Sequence, residues 1–166
     1  MSTTISRRSF LTKMGALSGL VASGTLIVAC GGGSATQAPA AKTAGSAVTL
    51  EIASKGEELL FDKDKLEASA GSKITLKFKN NSSTLTHNWV LVKPGTVDAV
   101  AADGLTAGEV KGYLKENDDR VIAHTNMVKP GETASVTFDS PAAGVYPYVC
   151  SFPGHSVLMK GTLTIK

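Results

Sequence analysis

Short segments in which apolar and polar residues alternate recur through residues 47–166, and they constrain the fold more than any other feature of the chain. Alternation with a period of two is typical of strands that turn one face toward a core. It occurs at residues 48–52, 74–79 and 134–138, and residues 88–92, 145–149 and 161–165 are also strand-like. Clusters of Gly, Pro, Asn and Ser separate these segments. They predict an all-β, antiparallel Greek-key sandwich of about eight strands.

One segment departs from this alternation. Residues 106–109 read Thr-Ala-Gly-Glu, which is a capping-box pattern, and Val110, Tyr113 and Leu114 follow with helical spacing. We therefore expect a short helix over residues 107–115, inserted between two strands and packed against the sheet through these three side chains.

Residues 1–29 have the character of an export signal. The segment contains Arg7, Arg8 and Lys13 and no acidic residue, and Phe-Leu follows the arginine pair in a twin-arginine pattern. A chance arginine pair in a signal for the general secretory route is the alternative. The apolar stretch after Lys13 is too short and too rich in small residues for a stable transmembrane helix. The sequence thus predicts an exported protein.

The signal segment ends in Ile-Val-Ala-Cys at residues 27–30, which resembles the lipobox of bacterial lipoproteins. Cys30 is therefore the predicted lipidation site, and a plain signal cleaved elsewhere is the alternative. Residues 31–46 are rich in Gly, Ser, Ala and Pro, as in a flexible linker. The expected organisation is a signal at 1–29, a lipidated cysteine and linker at 30–46, and a domain at 47–166. The lipid would hold that domain on the outer, periplasmic face of the cytoplasmic membrane.

The distribution of charge supports this division. The chain has 17 basic and 14 acidic residues, for a formal net charge of +3. Three of the basic residues lie in the signal segment, so the other 14 are matched by the 14 acidic ones. Without the signal segment the chain is formally neutral, which removes the main support for a basic surface of the kind that nucleic-acid binding requires, and we expect no nucleic-acid partner.

Sulfur and imidazole side chains are concentrated near the C-terminus. Cys150, His155 and Met159 lie in one stretch between two predicted strands, and His87 precedes another strand much earlier in the chain. A thiolate, two imidazoles and a weak thioether are the ligands of a blue-copper electron-transfer centre. If Cys30 carries lipid, Cys150 has no partner for a disulfide, which favours a ligand or a reactive thiol. The competing hypothesis is an enzyme with Cys150 as nucleophile and a histidine as base.

On these residues the chain resembles the azurin-type cupredoxins, a family of blue copper proteins. The similarity is closest at residues 86–91, 120–125, 135–139 and 150–163. The predicted lipid anchor and twin-arginine signal are also similar to those of the membrane-tethered auracyanins. The resemblance implies a cupredoxin sandwich that holds one type 1 copper ion. It also implies a ligand set, with equatorial His87, Cys150 and His155 and axial Met159.

The resemblance assigns roles to neighbouring residues as well. Thr86 stands where azurins have a glycine whose backbone carbonyl makes a long contact with copper, so a weak contact from the Thr86 carbonyl is expected. Asn88 is expected to tie the two ligand loops together through Ser151. The backbone N–H of Phe152 is expected to donate toward the thiolate of Cys150.

His155 is the expected port through which electrons enter and leave, framed by Leu85, Phe152 and Pro153. The residues and the resemblance together predict a monomeric one-electron carrier, not an enzyme, that cycles between Cu(II) and Cu(I). Its partners would be membrane-associated redox proteins such as cytochromes, an oxidase, a reaction centre or a reductase. A lipoprotein that stores or delivers copper is the alternative.

Overall fold

The alternating segments of the sequence form strands. The computed structural model describes residues 46–166; the signal segment, Cys30 and the linker up to residue 45 lie outside the described residues. In the described part the strands are β1 (Ala47–Ala53), β2 (Lys65–Ala68), β3 (Lys73–Lys79), β4 (Val90–Val92), β5 (Val121–His124), β6 (Thr133–Asp139), β7 (Gly144–Val149) and β8 (Lys160–Ile165), and one helix, α1 (Val97–Ala107), lies between β4 and β5. No helix within residues 46–166 combines the length and the apolar character needed to span a membrane.

The strands form two sheets with the core between them. One sheet has the order β1-β3-β6, and the other has the order β2-β8-β7-β4-β5. The predicted sandwich is confirmed. Two strand pairs depart from the predicted antiparallel arrangement, since β1 runs parallel to β3 and β2 runs parallel to β8. The reason is topological. Because β2 belongs to the opposite sheet, the chain crosses over between β1 and β3 and returns in the same direction.

Six of these strands coincide with predicted segments, and β2 and β5 do not. In β2 only Leu66 and Ala68 are buried, so its alternation is too short to stand out in the sequence. β4 begins at Val90 rather than at residue 88. His87 instead forms an isolated antiparallel bridge with Val128. The first candidate ligand therefore sits just before the strand, where backbone pairing still fixes its position.

The helix was predicted in the right connection but at the wrong residues. α1 ends at Ala107, where the predicted helix begins, and only a 3₁₀ turn at Glu109–Lys111 falls within residues 107–115. Gly112 and Tyr113 have positive φ angles of 63° and 53°, which an α-helix does not accommodate. Of the three side chains predicted to pack, Leu114 is buried and Tyr113 is half-buried, but Val110 is 97% exposed.

The core is built from the inward faces of both sheets. The apolar face predicted for β3, Ile74, Leu76 and Phe78, is fully buried. Trp89, which precedes β4, is also fully buried, and its ring lies between those of Phe138 and Tyr148 with centroid distances of 6.0 and 5.8 Å. Because Trp89 follows His87 and Asn88 directly in the sequence, its packing against these rings fixes the position of the chain beside the candidate ligand His87.

Gly161 allows β8 to pass close to the buried ring of Tyr148. A Cβ at this position would overlap the Tyr148 hydroxyl and lie 2.7 Å from the Asp64 carbonyl oxygen. We expect Gly161→Ala to lower the free energy of unfolding by about 2–3 kcal/mol, because overpacking of a rigid core forces side chains and backbone apart. Thr164→Ala, on the same strand but without such an overlap, is the matched control. Calorimetry that finds equal melting temperatures for Gly161→Ala and the parent would contradict this reading of the close approach.

Candidate metal centre

Strand pairing brings the first histidine and the cysteine to the same end of two neighbouring strands in the larger sheet. β4 pairs with β7 through Val90 with Val149 and Leu91 with Tyr148. His87 lies just before β4 and Cys150 directly after β7. Because the two strands are antiparallel, the start of one meets the end of the other. Two residues far apart in sequence are thereby placed side by side.

The remaining candidates lie on the loop from Cys150 to Met159, which folds back on itself. The Cys150 N–H donates to the Met159 carbonyl at 3.0 Å, so the two ends of the loop are joined. The His155 N–H donates to the Phe152 carbonyl at 2.9 Å, and the Met159 N–H donates to the His155 carbonyl at 2.8 Å. These bonds turn the His155 ring inward, toward Cys150.

Three donor atoms converge in this pocket. The Cys150 Sγ lies 3.8 Å from the His87 Nδ1 and 3.6 Å from the His155 Nδ1, and the two Nδ1 atoms are 3.2 Å apart. A point in their plane equidistant from all three lies about 2 Å from each, which matches a metal–imidazole bond and approaches a metal–thiolate bond. The three residues therefore fit a single metal ion without rearrangement.

The cluster is shielded from water. His87 and Cys150 are fully buried and His155 is 7% exposed. Burial and the neighbouring His155 lower the pKa of His87 to about 4, and burial also lowers the pKa of His155. Burial raises the pKa of the Cys150 thiol to about 11. Near neutral pH both imidazoles are thus unprotonated and ready to bind, and a metal must displace one proton from the thiol.

A hydrogen-bond network connects the two ligand-bearing segments. The Asn88 Nδ2 donates to the Ser151 Oγ at 2.8 Å, and the Ser151 N–H donates to the Asn88 Oδ1, also at 2.8 Å. Backbone N–H groups of Asn88 and Phe152 donate to the Cys150 sulfur, which favours the thiolate and partly offsets the effect of burial on its pKa. Asn88, Ser151 and Phe152 thus lie against the metal-binding cluster.

The two residues predicted as axial ligands, Met159 and Thr86, lie near the equatorial candidates in the sequence. Met159 is fully buried directly before β8, and Thr86 is half-buried directly before His87. Their roles as axial ligands remain predictions, as does lipidation of Cys30. Sequence reasoning missed Glu57, whose carboxylate holds the loop that leads to His87. The run of hydroxyl residues at 82–84 is the signal that could have indicated it.

Comparison with known proteins agrees with this geometry. Residues 48–166 match the family described as copper binding proteins, plastocyanin/azurin family. The chain is 45% identical to auracyanin-A of Chloroflexus aurantiacus over 156 residues, which cover 92% of this chain and 96% of that one. It is 44% identical to an azurin of Pseudomonas fluorescens biotype C over 118 residues, 66% of this chain and 92% of that one.

Solved structures show the same relationship. Auracyanin A of Chloroflexus aurantiacus, described as a "blue" copper protein, superposes with a TM-score of 0.70 at 48% identity, covering 73% of this chain and all of that one. Dithionite-reduced auracyanin from Roseiflexus castenholzii gives a TM-score of 0.68 at 38% identity, covering 75% of this chain and 99% of that one.

The two-sheet fold and its buried His-Cys-His group define a cupredoxin. His87, Cys150 and His155 are positioned to bind one copper ion. The chain belongs to the plastocyanin/azurin family of copper binding proteins. Membership of this family together with the site indicates a blue copper electron carrier.

Proposed function

We propose that the protein carries single electrons between redox proteins at a membrane surface, with His87, Cys150 and His155 as equatorial ligands and Met159 as a weak axial ligand. Copper bound there supplies the Cu(II)/Cu(I) couple. The observation that carries the proposal is the convergence of three buried donor atoms within 3.2–3.8 Å of one another. A backbone carbonyl contact from Thr86 completes the proposed ligand set.

The protein's part in this reaction is to hold the ligands still. The Cys150–Met159 loop is closed by backbone hydrogen bonds, and Asn88 fastens it to the segment that carries His87. Thiolate and thioether favour the reduced metal, whereas imidazole serves both oxidation states. Because the ligands need not move when the charge of the site changes, electron transfer meets little structural resistance.

His155 is the proposed electron port. It retains 7% exposure, and the Phe152 ring lies against it with a centroid distance of 4.5 Å. Tyr113, from the connection that contains α1, packs edge-on against Phe152 at 5.2 Å. Leu85 and Pro153 are half-buried in the adjoining loops. An apolar rim of this kind suits brief encounters through a small contact area.

The enzyme hypothesis finds less support in this site. A catalytic cysteine needs an accessible sulfur with a lowered pKa, whereas Cys150 is fully buried and the pKa of its thiol is raised. Copper storage or delivery is the remaining alternative. Rapid loss of copper to a soluble chelator would favour delivery, and slow loss would favour the carrier.

Addition of Cu(II) to the purified metal-free protein tests the proposal directly. We expect one copper per chain and an intense blue absorption, because a thiolate in a His₂Cys site gives the blue-copper centre. Ascorbate should bleach the colour and a mild oxidant should restore it. A colourless protein whose Cys150 can still be alkylated after copper addition would contradict the proposed site.

We propose further that Cys30 carries a lipid that tethers the domain to the outer face of the membrane. This rests on the Ile-Val-Ala-Cys pattern and on the Gly/Ser/Ala/Pro-rich linker that follows it. Cys30→Ala should move the protein from the membrane fraction to the soluble exported fraction while its blue absorption is unchanged. Equal membrane association of Cys30→Ala and the parent would refute the tether.

A further inference from the structure

The loop of residues 81–86, which leads to His87, is held by one carboxylate. Glu57 accepts hydrogen bonds from the Ser82 Oγ at 2.8 Å and the Thr84 Oγ1 at 2.6 Å through Oε2. Through Oε1 it accepts from the Ser83 N–H at 2.6 Å and the Ser83 Oγ at 2.9 Å. Four donors from three successive residues thus converge on Glu57, and hydrogen bonds to an ionised acceptor are stronger than neutral ones.

Behind this contact lies a buried polar network. The Ser82 Oγ accepts from the N–H groups of Thr84 at 3.1 Å and Leu85 at 2.7 Å, which closes the loop on itself. The Asn80 Nδ2 donates to the carbonyls of Leu85 at 2.8 Å and Val128 at 2.9 Å. Asn80 and Ser82 are both buried. The position of the loop is therefore set by side-chain contacts rather than by a strand ladder.

This network ends at the backbone of the first ligand. Val128 exchanges two backbone hydrogen bonds with His87, of 3.2 and 2.7 Å. The second ring nitrogen of His87, Nε2, is buried and has no hydrogen-bond partner in the described part of the chain. Metal-binding histidines are usually oriented by a hydrogen bond from that nitrogen. In its absence, the backbone placement and packing of His87 must orient the ring.

We propose that Glu57 is a positioning residue for the metal centre, which holds the 81–86 loop so that the His87 ring keeps its place beside Cys150 and His155. The proposal rests on the proposed function in one respect, namely that His87 binds copper. Glu57 itself touches neither the metal-binding atoms nor residues adjacent to them. Its hydrogen bonds act through Ser82, Ser83 and Thr84 on the backbone of His87. Its charge also acts through space on the His87 ring and raises the pKa of that imidazole, so the variants that leave the carboxylate in place separate the two effects.

The rate of copper release tests this role. Copper-loaded Glu57→Ala should lose its blue colour to an excess of chelator roughly tenfold faster than the parent, since removal of residues that orient a ligand typically weakens metal binding by 10–100-fold. Glu57→Gln, which keeps one carbonyl acceptor, should fall between the two. Glu58→Gln is the matched control, because it removes an equal charge from the neighbouring position while the Glu58 carboxylate pairs with Lys55, outside the 81–86 loop.

A second variant approaches the same contact from the opposite side. Ser83→Ala combined with Thr84→Val removes two hydroxyl donors and leaves the charge of Glu57 in place. We expect this variant also to release copper faster than the parent. It tests the proposal even if Glu57→Ala fails to fold. The copper EPR signal should broaden in both variants, because the His87 ring samples more orientations. Unchanged release and EPR signals with only a lower melting temperature would show that the contact is merely structural. Failure of the parent to form a blue centre would instead refute the proposed function.

Discussion

Replacement of Cys150 by serine is expected to abolish the blue absorption completely. A thiolate ligand is what gives a blue-copper centre its character, and a serine hydroxyl is a harder donor that remains protonated near neutral pH. The fold should persist, because the serine oxygen can accept the hydrogen bonds that the Asn88 and Phe152 N–H groups donate to the sulfur. We expect a loss of about 1–2 kcal/mol of stability from burial of a hydroxyl in place of a thiol. Absorption spectra and thermal unfolding of the copper-treated variant measure the two effects.

Cys30→Ser is the control for this experiment, since it removes the other cysteine of the chain. It should retain the full blue absorption, because the proposed ligand set contains Cys150 alone. Blue colour that survives in Cys150→Ser would mean that the sulfur of Cys150 is not the ligand. Circular dichroism in the far ultraviolet, identical for both variants, would show that loss of colour does not reflect loss of fold.

The parts of the fold that the sequence predicted depend on local patterns. Alternation along β3 and β6 was long enough to identify both strands; the apolar face of β3 is buried and that of β6 is half-buried. The cysteine, second histidine and methionine of one loop were recognisable because their spacing is local. His87 was a different case. Its proximity to Cys150 follows from the pairing of β4 with β7, and the family resemblance supplied what local patterns could not.

The parts that were not predicted depend on tertiary context. The capping-box pattern at Thr106 was present, but in the structure the Thr106 hydroxyl donates to the Ala102 carbonyl within α1, and the chain after Gly108 turns away. The contact between Glu57 and residues 82–84 joins segments 25 to 27 positions apart. The run of hydroxyl residues at 82–84 is visible in the sequence, but the sequence does not identify Glu57 as the carboxylate that accepts their hydrogen bonds.

The loop that carries the proposed electron port is uncharged and has two exposed apolar side chains. Val157 and Leu158 are 67% and 58% exposed, and residues 150–159 contain no charged side chain. Outside the signal segment the chain carries equal numbers of basic and acidic residues. Two copies of the protein can therefore meet through this loop without repulsion between charges on the loop itself. Exchange of electrons between oxidised and reduced copies is a direct measure of access to His155.

Leu158→Lys should slow that exchange by about 10- to 100-fold at low ionic strength, since two like charges would face each other in every productive encounter. The blue absorption should be unchanged, because Leu158 is exposed and is not one of the proposed ligands. Broadening of NMR lines in mixtures of oxidised and reduced protein gives the rate. Added salt should restore part of the lost rate, because exposed charges are screened beyond a distance of about 10 Å at 0.1 M salt.

Val145→Lys is the matched control, with the same introduced charge at a side chain that is 54% exposed. Val145 lies near the far end of β7, five residues before Cys150 and hence about 16 Å away along the strand. At 0.1 M salt its exchange rate should stay within about twofold of the parent, because its charge then lies beyond the screening distance of about 10 Å from the port. Equal slowing by both lysines would show that net charge governs the encounter. Slowing by Leu158→Lys alone would identify the face around His155 as the route of electron transfer.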